Sequence, residues 1–233
     1  MVMGDMKRGK STLLKTMNGF SPANKGTVLI NGEDLYDNFD AYRSIIGYVP
    51  QDDIIHLNLT VDEALRYAAK IRLPDAQPDE IKLRLDKVLD QVEMTDHRDK
   101  LVKNLSGGQR KRVSISAELL ADPGLFFLDE PTSGLDPGLE KKMMYTLRRL
   151  ADSGRTVLLI THATANIEQC THVIFLARGR VAYFGPPSEA LDFFGATDFA
   201  DIYTRLSLPP EQVGWPEQFA APAQKLMQQG HDV

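Results

Sequence analysis

The sequence predicts an α/β fold, a mostly parallel sheet interrupted by a helical insert. Three observations carry this. A glycine-rich turn from Gly4 to Ser11 joins a short apolar stretch to a helix. Two continuous apolar runs, GLFFLDEP and TVLLITH, have the texture of strands buried on both faces of a parallel sheet. Between about 58 and 120 the apolar residues recur at helical spacing instead.

The elements follow in order. Only Met1, Val2 and Met3 precede the first turn, where a phosphate loop normally follows a full strand, so the chain is expected to start late or to be a fragment. STLLKTMNGF continues from the turn as a helix. TVLINGEDL is a short strand ended by the Asn31-Gly32 turn signal, and RSIIGYVPQDD holds another, closed by Pro50. Thr60 and Glu63 form a capping box ahead of a helix whose apolar face is Val61, Ala64, Leu65, Ala68 and Ile71. Pro78 opens the next helix, with Ile81, Leu85, Val88, Leu89 and Val92 on one side. HVIFLARGRVAYFG reads as two strands turning at Arg178-Gly179, and Ser188 is placed to cap a short helix through Phe194. From about 207 onward, prolines among Gln and Ala give linker texture.

Composition narrows the function. A chain of 233 residues makes one large domain or two small ones, and 42% apolar with 25% charged residues is ordinary globular usage. The net charge of −5 argues against a nucleic-acid partner. The one cysteine, Cys170, leaves no intrachain disulfide and fits a reducing compartment. No apolar run is long enough to span a membrane, and MVMGDMKRGK has no signal-peptide core, so the chain reads as a soluble cytosolic domain.

Three segments carry chemistry. Gly4-Asp5-Met6-Lys7-Arg8-Gly9-Lys10-Ser11 fits G-x-x-x-x-G-K-[ST], with Thr12 following. Backbone amides wrap phosphate oxygens there, Lys10 reaches the β- and γ-phosphates, and Ser11 holds Mg²⁺. Lys7 and Arg8 are bulky for such a loop and either add phosphate contacts or disturb the turn. The apolar strand ending in Asp129-Glu130 sets carboxylates at the carboxyl edge of a sheet, Asp129 for the metal shell and Glu130 as general base on the attacking water. Leu105-Ser106-Gly107-Gly108-Gln109 opens a helix with free amide donors, an anion site, and an apolar stripe of Val113, Ala117 and Leu120 follows. Arg110, Lys111 and Arg112 then either meet a polyphosphate or form a solvated basic face.

Phosphate loop, GYVPQ, LSGGQ, FFLDEP, SGLD and a histidine after TVLLIT occur in that order, and the chain resembles the nucleotide-binding domain of ATP-binding cassette (ABC) transporters from Gly4 to about Phe194. GYVPQDD, LSGGQRKRVSISAELL, FLDEPTSGLDP and THATANIEQCTHVIFLARGRVAYFGPPSEALDFF are most similar to the G subfamily, the White-type and multidrug-exporter-like members. The resemblance implies that Gln51 senses Mg²⁺ and touches the membrane partner. It implies that Ser106, Gly107, Gly108 and Gln109 close over the γ-phosphate held by another subunit. Ser133, Gly134, Leu135 and Asp136 would couple the two sites, and His162 would contact the γ-phosphate. Two features differ from the family: no aromatic residue precedes Gly4, and Lys7 stands where the loop has glycine.

The expected architecture is therefore a P-loop NTPase of RecA-like core, residues 1–57 and 121–206, with a small antiparallel β portion. A helical signature subdomain spans 58–120, and a Pro/Gln-rich tail, 207–233, leads toward a membrane domain. The expected activity is hydrolysis of Mg-ATP in a head-to-tail homodimer, or a dimer with a second nucleotide-binding domain, at the cytoplasmic face of the membrane beside a membrane-spanning permease domain. The alternatives are a soluble ATPase of the same family and a remnant that folds without turnover. A GTPase lacks support, because Asn24-Lys25 is followed by Gly26-Thr27 rather than by x-Asp.

Overall fold

The computed structural model describes residues 1–4 and 9–208. The chain divides into two compact units, one made of Met1–Leu13 with the residues from Ile160 on, the other of Leu14–Leu159. Strand β1 (Val2–Gly4) precedes the turn and helix α1 (Lys10–Met17) follows it.

In the Leu14–Leu159 unit, β2 (Leu29–Ile30) and β3 (Glu33–Asp34) form a small antiparallel hairpin. Its turn residues Asn31 and Gly32 have φ of 52° and 85°, the paired positive angles that suit a two-residue hairpin. The turn signal thus joins two strands rather than ending one. The short helix α2 (Phe39–Tyr42) leads to β4 (Ile46–Val49).

Helix α3 (Val61–Arg72) starts on the expected capping box: Thr60 Oγ1 accepts from the Glu63 amide at 3.2 Å, and Glu63 accepts from the Thr60 amide at 2.8 Å. The carbonyls of Lys100 and Arg98 accept from Val61 and Asp62, which satisfies two more orphan amides of the first turn. Asp62 also gathers Arg66 at 2.5 Å and Arg98 at 2.6 Å. Burial pushes its carboxyl up, but the two arginines outweigh burial and hold it below the usual range. The apolar face of α3 is Val61, Ala64, Leu65 and Ala69, whereas Ile71 is 82% exposed. The 3.6-residue repeat carries Ile71 past the edge of the stripe that begins at Val61.

Helix α4 (Pro78–Gln91) buries Ile81, Leu85, Val88 and Leu89 as expected. Helix α5 (Gly107–Leu119) packs against both α3 and α4. Strand β5 (Leu125–Asp129) lies parallel to β4 in the register Ile46↔Leu125 to Val49↔Leu128. Helix α6 (Pro137–Asp152) then leads to β6 (Thr156–Ile160), and within this unit the strand order is β4-β5-β6.

In the other unit, β7 (Val173–Ala177) runs parallel to β1, with Met3 opposite Phe175 and Gly4 opposite Leu176. Val2 is flanked on its other side by Ile160. Strand β8 (Arg180–Gly185) pairs antiparallel with β7 through the Arg178-Gly179 turn, at φ of 51° and 77°. Helix α7 (Pro187–Phe194) starts at Pro187 with Pro186 as its cap residue, so Ser188 lies inside the first turn and does not cap it. Proline's fixed φ suits that first position. A further helix, α8 (Phe199–Ser207), is capped by Asp198, whose carboxylate accepts from the Asp201 amide at 2.7 Å. Phe175 is the centre of this unit's core, with Phe194 set edge-on at 5.6 Å and Tyr203 at 6.3 Å. Residues 209–233, which hold most of the expected tail, lie outside the described residues.

Candidate functional site

The phosphate-loop residues at hand are Gly4, Gly9, Lys10, Ser11 and Thr12; Asp5, Met6, Lys7 and Arg8 lie outside the described residues. Gly4 has φ of 153°, and a Cβ there would stand 2.3 Å from the Leu176 carbonyl oxygen. Glycine is thus required by the close pairing of β1 with β7, before any ligand is considered. Gly9, at φ of 88°, turns the chain into α1, whose first intrahelical bond runs from the Leu13 amide to the Gly9 carbonyl at 2.8 Å. The amides of Lys10, Ser11 and Thr12 lie ahead of that ladder, in the manner of an anion-binding helix start. Lys10 is buried, and its ammonium donates to the Gly4 carbonyl at 3.0 Å. The cation is thus held against the loop's own backbone.

His162 belongs to the same unit. It leaves the end of β6 after Thr161, whose hydroxyl accepts from the Ala163 amide at 3.0 Å and whose amide donates to the Val2 carbonyl at 3.3 Å. Partial burial and then the Lys10 cation lower the imidazole's pKa below its ordinary value. The ring is neutral at neutral pH, so it keeps one N–H donor and one lone pair.

The Leu14–Leu159 unit carries the other motif residues. Asp129 and Glu130 are both buried at the end of β5. Glu130 adopts φ of 51°, a left-handed conformation rare for a non-glycine residue. Strain of about 1–3 kcal/mol at such a residue persists only where its surroundings fix it. Tyr48 on β4 has its phenol pKa raised by burial and by the Asp129 charge. Gln51 follows β4 in an exposed, irregular stretch.

Ser106 caps α5. Its hydroxyl accepts from the Gln109 amide at 3.3 Å, and the Gln109 side-chain oxygen accepts from the Ser106 amide at 3.0 Å. The Gln109 nitrogen then faces His97 Nε2. The amides of Gly107 and Gly108 lie in the first turn, ahead of the helix's own ladder. A Cβ on Gly108 would come within 3.0 Å of the Leu135 side chain, so glycine lets SGLD pack against the signature. Asp136 caps α6, accepting from Gly138 at 2.9 Å and Leu139 at 3.1 Å. A pocket of about 190 Å³ opens beside these residues, with His97, Ser106, Gln109, Arg112 and Leu135 in its wall.

Two of the three basic residues take neither expected role. Lys111 and Arg112 are buried, Lys111 against Asp53 and the carbonyls of Pro50 and Gln51, Arg112 against the Val92 carbonyl at 3.2 Å and Glu93. These residues, with Asp53, Ser114 and His97, were not legible as partners. The Ser106-x-x-Gln109 capping box was not anticipated, although the pattern S-x-x-Q is itself a helix-start signal.

A family model described as "ABC transporter" matches residues 1–133. The chain belongs to the ABC transporter family. It is 44% identical over 212 residues to the ABC transporter ATP-binding/permease protein Rv1747 of Mycobacterium tuberculosis, covering 90% of this chain and 24% of that protein. It is 35% identical over 229 residues to ABC transporter G family member 28 of Arabidopsis thaliana, covering 94% of this chain and 20% of that protein. The chain therefore spans a quarter or less of these two curated relatives. Among solved structures, cbiO1 from Clostridium perfringens, described as part of the ABC transporter complex cbiONQ, superposes with a TM-score of 0.75 at 28% identity, covering 91% of this chain and 85% of that one. The chain is an ABC nucleotide-binding domain most like the G subfamily, with a P-loop α/β fold. Among the described residues, no helix of this ABC domain is long and apolar enough to cross a membrane.

Proposed function

We propose that this ABC domain hydrolyses Mg-ATP in a head-to-tail dimer and passes the work to a membrane-spanning permease domain. The observation that carries the reading is Lys10, a buried cation held at the N-terminus of α1 by the Gly4 carbonyl. A polyphosphate is the ligand that such a cation and such amides suit together. The loop Gly4–Thr12 cradles the phosphates, Lys10 moves from the Gly4 carbonyl to the β- and γ-phosphate oxygens, and His162 donates its remaining N–H to the γ-phosphate. Glu130 accepts a proton from the attacking water. In a second copy, Ser106, Gly107, Gly108 and Gln109 offer a hydroxyl and helix amides to the same γ-phosphate, while Asp136 keeps the coupling loop in register through its cap.

The donors Ser11, Gln51 and Asp129 are a hydroxyl, an amide and a carboxylate, hard oxygens of the kind Mg²⁺ takes. When bound, Mg²⁺ supplies neutralising charge to the β- and γ-oxygens.

In this reading residues 1–57 and 121–206 are the ATP-binding core, 58–120 the signature subdomain, and 207–233 leads toward the membrane domain. The domain then works at the cytoplasmic face of the membrane. The name ATP-binding/permease protein of the Mycobacterium relative supports the pairing with a permease.

The test is Glu130→Gln. It should keep ATP binding, accumulate an ATP-dependent dimer on gel filtration, and lose about 10²–10⁴-fold in turnover. Turnover at the wild-type rate would remove Glu130 from the mechanism.

A further inference from the structure

The face that α5 turns toward the segment Tyr48–Asp53 is polar, although it is buried. Lys111, Ser114 and Glu118 sit at i, i+3 and i+7, on one side of the helix. The Lys111 ammonium donates to the Gln51 carbonyl at 2.7 Å and the Pro50 carbonyl at 3.2 Å, and pairs with Asp53 Oδ1 at 2.9 Å. Those three acceptors use all three N–H donors of the ammonium. Ser114 Oγ donates to the same Asp53 oxygen at 3.1 Å. One turn further on, Glu118 Oε2 accepts from the Tyr48 amide at 3.2 Å and pairs with Arg72.

An apolar side chain at 111 would fill this space at lower desolvation cost, so a buried ion pair here is poor evidence for stability. What it specifies is position. Backbone carbonyls at Pro50 and Gln51 are fixed to a helix, and an apolar contact fixes no such register. The same helix begins with Ser106, Gly107 and Gly108.

We propose that Lys111 is a positioning residue for Gln51: the Lys111–Ser114–Glu118 face of α5 holds the Gln51 backbone, so that the signature and Gln51 move as one body. This rests on the reading of Gln51 as a Mg²⁺-sensing residue. Displacement of the signature by a phosphate in the partner copy then displaces Gln51 without an intervening hinge.

The experiment uses the full 233-residue chain in a Glu130→Gln background. Lys111→Met, Lys111→Arg, Gln51→Ala and the Lys111→Met/Gln51→Ala pair are compared by melting, amide hydrogen exchange and Mg²⁺ titration of fluorescent-ATP binding. In Lys111→Met, exchange over residues 51–54 should rise roughly ten-fold while residues 125–129 stay protected. The Mg²⁺ midpoint should rise by about as much as in Gln51→Ala, the pair should add nothing further, and Lys111→Arg should recover part of the loss. Asp53→Asn should give the same pattern at smaller size, and it covers the case in which Lys111→Met does not fold. A lowered melting temperature with unchanged exchange and midpoint, while Gln51→Ala still moves the midpoint, overturns the proposal and leaves Gln51 its role. A midpoint that Gln51→Ala does not move overturns the Gln51 reading, and the proposal with it.

Discussion

Two helices of this ABC domain begin on glycine-rich phosphate motifs, and each has a buried lysine near its start. Lys10 in α1 is 6% exposed and Lys111 in α5 is 5% exposed. Both cations sit where the helix dipole disfavours them. Their acceptors differ. Lys10 donates to a carbonyl of its own loop, six residues back. Lys111 reaches a segment some sixty residues away and spends its donors on two carbonyls and a carboxylate. The start of α5 is closed by a reciprocal Ser106–Gln109 cap, and α1 follows Gly9 at φ of 88°. The comparison teaches that a buried lysine at a helix start can be held by its own loop or by a distant segment, and in the proposed function the first is the one a ligand recruits.

Breaking the ligand side should cost most. Lys10→Ala should abolish the melting-temperature rise that saturating Mg-ATP gives, about 2.7 kcal/mol at 100 times Kd. Turnover should fall at least as far as in Glu130→Gln. A rise equal to that of the wild type would return Lys10 to a structural role. Gly4→Ala comes next. Its Cβ meets the Leu176 carbonyl at 2.3 Å, and overpacking there should destabilise the fold by about 1–3 kcal/mol without ligand, measured by denaturant unfolding.

On the frame side, Ser106→Ala removes the α5 cap. A loss of about 1 kcal/mol in stability is expected, and Ser106→Gly should lose only a few tenths. Equal losses in both would show that the hydroxyl is not the cap. The smallest effect is the pH response of His162. Burial and the Lys10 charge disfavour its protonation in the fold, while the unfolded chain takes up a proton near pH 6.5. As pH falls below about 6.5 the unfolded state binds more protons, so stability is lost on the acid side and unaffected above it. His162→Gln should flatten the melting-temperature curve between about pH 7 and 5 relative to wild type. An unchanged slope would assign the acid response to other groups; Asp62, held below the usual carboxyl range, would act only at lower pH.

Much of the fold was legible because its signals are local. The Thr60–Glu63 cap, the α4 stripe from Ile81 to Val92, the apolar runs of β5 and β6 and the Arg178-Gly179 turn each depend on residues a few positions apart. The errors were local too. Ile71 was one position off its stripe, Pro187 took the helix start expected of Ser188, and α8, which ends where the linker texture begins, was not anticipated although Asp198 marks its cap.

The sequence by itself determined the order of the motifs and the chemistry each can offer, because residue type and spacing suffice for a phosphate loop, an acid pair at a strand end and a Ser-Gly-Gly turn at a helix start. Only the tertiary structure decided what the cations do. Arg110, Lys111 and Arg112 read alike in a row, yet Lys111 and Arg112 are buried against partners far along the chain. A buried charge is governed by whichever carbonyls and carboxylates the fold brings within about 3 Å, and no local pattern encodes that.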